Sequence, residues 1–342
     1  MVLRMTDCQD VSEEPVRHRL SVAFLRNPRI EPLVDGSVTS AGIQLDWEFG
    51  APSRLQARMA RDDDGEVFEY SLTQYIRFHD RAGRPESGWT GLPVFLSRAP
   101  VQLLLVPAAS PLRSLAELRG KRVGVTDYGA GVAVWLRIIL RTLYGILPAD
   151  IEWVVSAARG EPDGDPLVPG VTVRTRPSGG SLTDSLRAGD LDAALDLDNA
   201  LNAKGVLWSG GLSGVRLLLP PADFARVLAR FSAQTGARPV NHFVALQAQL
   251  AREDPGLPRR LYDAFESAKE AAYRHDERAR ALFTVPEVQG TPAEWTDRDP
   301  YPSGLAANRT TLELMTQDLE EGGLISSGSD IGRLFHPTLR AT

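Results

Sequence analysis

RVGVTDYGAGVAVWLRIILRTLY, running from Arg122 to Tyr144, decides the fold. Val123 and Val125 alternate around Gly124 and suit a strand buried in a sheet. Thr126, Asp127, Tyr128, Gly129 and Gly131 follow, where the backbone turns closely. From Val132 the apolar residues Val134, Trp135, Ile138, Ile139 and Leu143 fall at helical spacing. A helix that starts directly after a strand points unpaired N–H groups and its positive dipole end at the sheet edge, where a carboxylate or phosphate can sit. An ordinary strand-to-helix connection of an α/β domain has the same pattern, so this stretch alone leaves both readings open.

Upstream, Leu20 to Leu25 reads as the first strand, broken by Arg26-Asn27-Pro28-Arg29, and Ile43 to Phe49 as the second. Ser53 is placed to cap a helix over Arg54 to Arg61 that ends at Asp62-Asp63-Asp64-Gly65, an acidic run read as a solvated turn. Val67 to Tyr70 is a short strand feeding a helix from Ser71 to His79. Leu92 to Phe95 and Gln102 to Val106 are further strands. Ser114 and Glu117 have capping-box spacing at the start of a short helix.

Downstream, Ile151 to Val155, Val171 to Arg174, Asp192 to Leu195, Val215 to Leu218 and His242 to Leu246 read as strands. Ala157 to Pro169 reads as an exposed loop. Helices are expected over Ser181 to Gly189, Asn199 to Leu207, Pro221 to Gln234, Leu257 to Arg274 and Ala306 to Gly322. Strands alternating with helices predict mostly parallel or mixed sheets, with ligands at the carboxyl ends of the strands.

The 342 residues, 43% hydrophobic and 24% charged, are enough for two lobes with ample core. A net charge of −6 without a basic stripe argues against nucleic acid as a partner. The single Cys8 excludes an intramolecular disulfide, and five scattered histidines disfavour a zinc-hydrolase site. Residues 1–19 carry charges throughout and no apolar signal core, so a flexible N-terminal tail and a cytoplasmic location are expected. No apolar run reaches membrane-spanning length. The sequence demands no metal or other cofactor and leaves a homo-oligomer open.

Six stretches in register resemble the 4,5-dihydroxyphthalate decarboxylase family. They are EYSLTQYI (Glu69 to Ile76), PVFLSR (Pro93 to Arg98), LRGKRVGVTDYGAGVAVWLRIIL (Leu118 to Leu140), GDLDAAL (Gly189 to Leu195), VNHFVAL (Val240 to Leu246) and DPYPSGLAANRTTLE (Asp299 to Glu313). The resemblance implies an α/β, two-lobed type II periplasmic-binding-protein-like fold, with mixed sheets flanked by helices and a ligand cleft between the lobes. Lobe 1 would be discontinuous, from residues 20–107 and 221–342, and lobe 2 would span 108–220. It also implies loss of CO2 from a small hydroxylated aromatic or cyclic carboxylate, without a cofactor. Two departures stand out. Arg26-Asn27-Pro28-Arg29 replaces the family's usual acidic and aromatic run, and Pro100-Val101-Gln102 stands where a histidine usually follows the Ser-Arg pair.

Such a reaction needs a proton donor to the ring carbon, an anchor for the carboxylate and a partner for the phenol. His242 is the candidate donor, because imidazole titrates near neutral pH, and Glu69 is a candidate acid or base. Arg98 is the candidate carboxylate anchor, since guanidinium offers a two-pronged donor. Ser71 and Thr73 at one helix start, and Gly129, Ala130, Gly131 and Val132 at the other, are candidate contacts for anionic oxygens; ordinary capping is the alternative. Tyr128 and Trp135 are candidates to flank an aromatic ligand, with core packing the commoner role for Trp135. Asp196, Asp198 and Asn199 follow a strand end, where they would accept a hydroxyl proton or hold a cation. Arg26 and Arg29 bring positive charge suited to a more anionic ligand, or form a solvated surface pair. Two other functions share these residues: the same fold with changed chemistry (a dehydratase, cyclase or hydrolase of a biosynthetic pathway), and a non-catalytic solute-binding protein for small anions, which normally requires export.

Overall fold

The computed structural model describes residues 17–50, 65–82, 88–98, 101–156, 170–176, 180–196, 213–281, 292–296, 299–326 and 328–342. Cys8, the expected helices at 54–61 and 199–207, the acidic turn 62–64, the loop 157–169, Asp198 and Asn199 lie outside these residues.

The described strands form two mixed sheets. The first has five strands, in the order β2 (Ile43–Phe49), β1 (His18–Phe24), β3 (Val67–Ser71), β11 (His242–Gln247) and β4 (Trp89–Leu92). β1, β2 and β3 are mutually parallel, and β11 runs antiparallel to both β3 and β4. The second has six, in the order β10 (Val215–Leu217), β5 (Leu105–Pro107), β9 (Ala193–Leu195), β6 (Arg122–Val125), β7 (Glu152–Ser156) and β8 (Thr172–Arg176). Here β6 to β9 are parallel, while β5 is antiparallel to β9 and β10. The chain thus enters the second sheet at Leu105 and leaves it after Leu217. Its two crossovers lie side by side where Arg98 bridges Val240.

Around the sheets lie α1 (Glu31–Val34), α2 (Leu72–Ala82), α3 (Gly131–Tyr144), α4 (Leu182–Ala188), α5 (Pro221–Thr235), α6 (Ala248–Glu253), α7 (Leu257–His275), α8 (Ala293–Thr296) and α9 (Leu305–Glu321). α3 is buried from Gly131 to Leu140 without a polar stripe, as a helix enclosed on all sides must be. Its one charged residue in that run, Arg137, is neutralised inside the core by Asp318 of α9, with Nε and Nη2 at 3.0 and 2.6 Å from Oδ2. The apolar core is continuous between the sheets: Phe68 and Phe243 of the first, with Tyr75 of α2, join Val123 and Trp153 of the second, with Trp135 of α3. No helix among the described residues is long and apolar enough to cross a membrane.

Several boundaries differ from the sequence expectation for local reasons. β1 begins at His18, inside the expected tail, because His18 and Arg19 already pair with Ile43 and Gln44 and the His18 ring bonds Asp254 at 2.9 Å. The strand expected at Leu92 to Phe95 lies at Trp89–Leu92, and Pro93, which cannot donate to a ladder, ends it. Val101–Leu103 is a 3₁₀ turn, and Leu115–Leu118 is another. There Ser114 caps the N–H of Ala116, and Glu117 accepts from Arg113 N, so the reciprocal capping box is not formed.

Candidate active site

The parallel strands β1 and β3 deliver their carboxyl ends to one edge of the first sheet, and β11, being antiparallel, brings its first residue there. Ser71 ends β3 and stands opposite His242, so Glu69, two residues earlier, shares the face of the His242 ring. The result is a dyad: His242 Nδ1 lies 2.8 Å from Glu69 Oε1. Glu69, only 4% exposed, also accepts the N–H of Leu25 through Oε2 at 3.0 Å. With the Nδ1 proton directed at the carboxylate, Nε2 accepts from the Asn241 amide at 3.1 Å. The His242 N–H is held by Ser97 Oγ. The ring is thus fixed in one orientation, with a buried carboxylate behind Nδ1.

The second sheet supplies the opposing wall. β6 ends at Val125, and the turn Thr126–Ala130 leads into α3, whose N-cap residue Ala130 offers no side-chain cap. The first-turn N–H groups of Gly131 and Val132 therefore lack an intrahelical acceptor. Close approach explains both glycines. A Cβ on Gly131 would meet Asn241 Oδ1 at 2.8 Å, and one on Gly129 would meet Arg77 Nη1 at 2.5 Å. Arg77, buried on α2, pairs with Asp127 at 3.0 Å, and Asp127 in turn accepts the Gly129 N–H. Trp135 reaches across with its indole N–H to the carbonyl of Val240. Ser71 Oγ and the fully buried Thr73 Oγ1 lie 3.3 Å apart beside this junction, and the Leu72 N–H bonds the Asn241 carbonyl.

Glu69, Ser71, Thr73, Gly131 and His242 therefore meet around Asn241. Gly129, Ala130 and Val132 flank Gly131 at the start of α3, and the other candidates lie elsewhere. Arg98 donates Nε and Nη2 to the Pro300 carbonyl at 3.1 and 2.7 Å and stacks on Tyr301 beside the crossover bridge. Burial pushes its guanidinium down to about 10, so it stays charged at neutral pH. Its Nη1 is buried and unpaired among the described residues. Arg29 covers Tyr301 as well, its centre 4.0 Å from the ring, and donates to the carbonyls of Leu96 and Ala279; it is buried, not a solvated surface group. Arg26 is exposed and chelated by Glu31 at 2.8 and 2.9 Å. Tyr128 is buried under Arg137 and edge-on to Trp153, and burial pushes its phenol upward. Asp196 accepts the N–H and hydroxyl of Thr183 at 2.8 Å each, fastening the first turn of α4.

Asn241, Ser97, Arg77 and Asp127 complete the site without having been singled out in the sequence. Asn241 and Ser97 stand in the VNHFVAL and PVFLSR motifs, and Asp127 in the loop of the organising stretch, so a signal was present for three of them.

Two α/β sheets joined by paired crossovers, with polar strand ends facing a helix N-terminus, define the periplasmic-binding-protein fold. Solved structures agree. The sulfonate-binding protein SsuA of Methylobacillus flagellatus superposes with a TM-score of 0.57 at 10% identity over 96% of this chain and 94% of its own. The desulfurization enzyme DszB does so with a TM-score of 0.54 at 19% identity over 95% and 98%. No family model matches the chain. Among curated proteins, the 4,5-dihydroxyphthalate decarboxylase of Comamonas testosteroni is 27% identical over 328 residues, covering 93% of this chain and 96% of the relative. That of Pseudomonas putida is 30% identical over 193 residues, 54% of this chain and 74% of the relative. The chain belongs to the 4,5-dihydroxyphthalate decarboxylase family.

Proposed function

We propose that this protein is a cofactor-independent decarboxylase of a small hydroxylated aromatic or cyclic carboxylate. The observation that carries the reading is the Glu69–His242 dyad facing the uncapped start of α3 in a member of this family. The reaction replaces a ring carboxylate by hydrogen: one proton goes to the carbon bearing the carboxylate, the carbon–carboxyl bond breaks, its electron pair returns to the ring and CO2 leaves. Once Asn241 swings aside, Nε2 of His242 takes a proton from solvent and delivers it to that carbon, with the ring held by Glu69. The N–H groups of Gly131 and Val132, with the hydroxyls of Ser71 and Thr73, hold anionic oxygens of the substrate. A ring hydroxyl stabilises the protonated ring, which is why a hydroxylated arene is the expected class.

The test is to incubate purified protein with hydroxybenzoates and hydroxyphthalates, 4,5-dihydroxyphthalate included, and measure CO2. Turnover in D2O should place one deuterium at the former carboxyl carbon. No CO2 from any member of the panel overturns the reading, and retention of an acid that returns unchanged would instead mark a binding protein.

A further inference from the structure

A second cavity lies at the opposite end of the first sheet. Ala248, which lines it, is six residue steps along β11 from His242, so at about 3.3 Å per step it is roughly 20 Å from the dyad. Its wall is made by the C-terminal segment folding onto the edge strand β4: Phe335 bridges Gly91, and the His336 N–H bonds the Gly91 carbonyl at 2.9 Å. The cavity measures about 440 Å³ and is bounded by Arg252, Arg333, Arg340 and His336 over a floor that includes Phe335 and Ala251. No carboxylate is among its described lining residues.

Positive charge is therefore concentrated there with no compensating carboxylate among the described lining residues. Arg252, in the last turn of α6, has no ion pair among the described residues. Arg340 donates Nε only to the Phe335 carbonyl, at 3.3 Å. Arg333 has a long contact of 3.3 Å with Asp330, both side chains largely in solvent. His336 Nδ1 is engaged by Thr338 Oγ1 at 2.9 Å, which leaves Nε2 for the cavity. Burial, and after it Arg340, pushes the His336 ring below its ordinary value, as expected of an imidazole pressed against a cation.

We propose that this cavity is a second binding site, for a compact organic or inorganic anion bearing two or more carboxylate or phosphate groups. Three guanidinium groups supply planar, paired donors for oxyanions, and the volume lies in the range of small-ligand sites. The site stands apart from the dyad, so it does not rest on the decarboxylase reading.

The experiment is isothermal titration of the full chain with inorganic pyrophosphate and, separately, benzene-1,2,4-tricarboxylate, with the His336 ring followed by NMR. At least one probe should bind, shift the His336 resonances and bind more weakly as salt rises. The double variant Arg252→Gln/Arg340→Gln should weaken that binding about tenfold or more. Binding of pyrophosphate alone or of the tricarboxylate alone assigns the site to phosphates or to carboxylates. Failure of both probes to bind, His336 resonances that do not move, or undiminished binding by the double variant would overturn the proposal.

Discussion

Replacing Asp318 by alanine should unseat α3. Arg137 and Asp318 are both almost fully buried, and two of the guanidinium's donors end on one carboxylate oxygen. A third reaches the Tyr128 carbonyl at 2.5 Å, while the cation covers the Tyr128 ring at 4.1 Å. Asp318→Ala leaves a charged guanidinium in the core with only that carbonyl and the Tyr128 and Trp153 rings as partners among the described residues. Breaking one side of a buried pair costs about 3–5 kcal/mol. With an unfolding entropy of about 2.1 cal/mol/K per residue, the chain as a whole has roughly 0.7 kcal/mol/K. The melting temperature should therefore fall by about 4–7 °C, read by calorimetry at pH 7. The double variant Arg137→Met/Asp318→Leu removes both charges and keeps the volume, so it should recover more than half of the loss. Full recovery is not expected, because the Tyr128 carbonyl then lacks its donor, a penalty of about 1–3 kcal/mol. A coupling energy of at least about 2 kcal/mol should separate the double variant from the sum of the single ones. Additive losses would refute the reasoning, since they would mean that the two side chains stabilise the core independently.

Three further outcomes follow from the geometry. His242→Asn should lower turnover about 100- to 10,000-fold, the usual worth of a positioned proton donor, with a melting temperature close to the parent's; turnover within tenfold of the parent would remove His242 from the chemistry. Gly131→Ala forces Asn241 away from its place on the His242 ring, so activity should fall more than stability does, measured as kcat beside thermal unfolding. Asp254 is held well below the usual carboxylate range by hydrogen bonds from Arg260 and His18. A depressed acid contributes stability above its unfolded value, near pH 4, and loses it as the pH drops through the folded one. Asp254→Asn should therefore lower stability at pH 7 and lose this disadvantage progressively below about pH 4, in urea unfolding at several pH values.

The contrast between what the sequence disclosed and what it hid follows from where each residue's partners lie. β6 and α3 were legible because their determinants are local: alternating valines, a turn containing glycines, then apolar residues at helical spacing. Glu69, Ser71 and Thr73 could be placed near the site because strand ends face ligands in this architecture. Arg98 could not be judged from its motif, since its environment is set by Pro300 and Tyr301, 202 residues away for the carbonyl it holds. Asp196 likewise reads as a ligand-facing carboxylate until Thr183 is seen beneath it. Asn241 needs the β3–β11 register, because only when His242 stands opposite Ser71 does its neighbour reach both the ring and Gly131.

That register also explains why the two halves of the site are built from different chemistry. The first sheet contributes side chains, the Glu69–His242 pair and its supports, each fixed by a strand position and a buried hydrogen bond. The second contributes backbone, the N–H groups of a helix start, which require small residues to be approached at all. Gly129 against Arg77 and Gly131 against Asn241 are the places where these contributions touch. A side chain added at either glycine must move a polar group of the opposite half, whereas polar changes further along α2 or α7 need not reach the junction. The site is therefore most sensitive to volume on the second-sheet side and to charge and hydrogen bonding on the first.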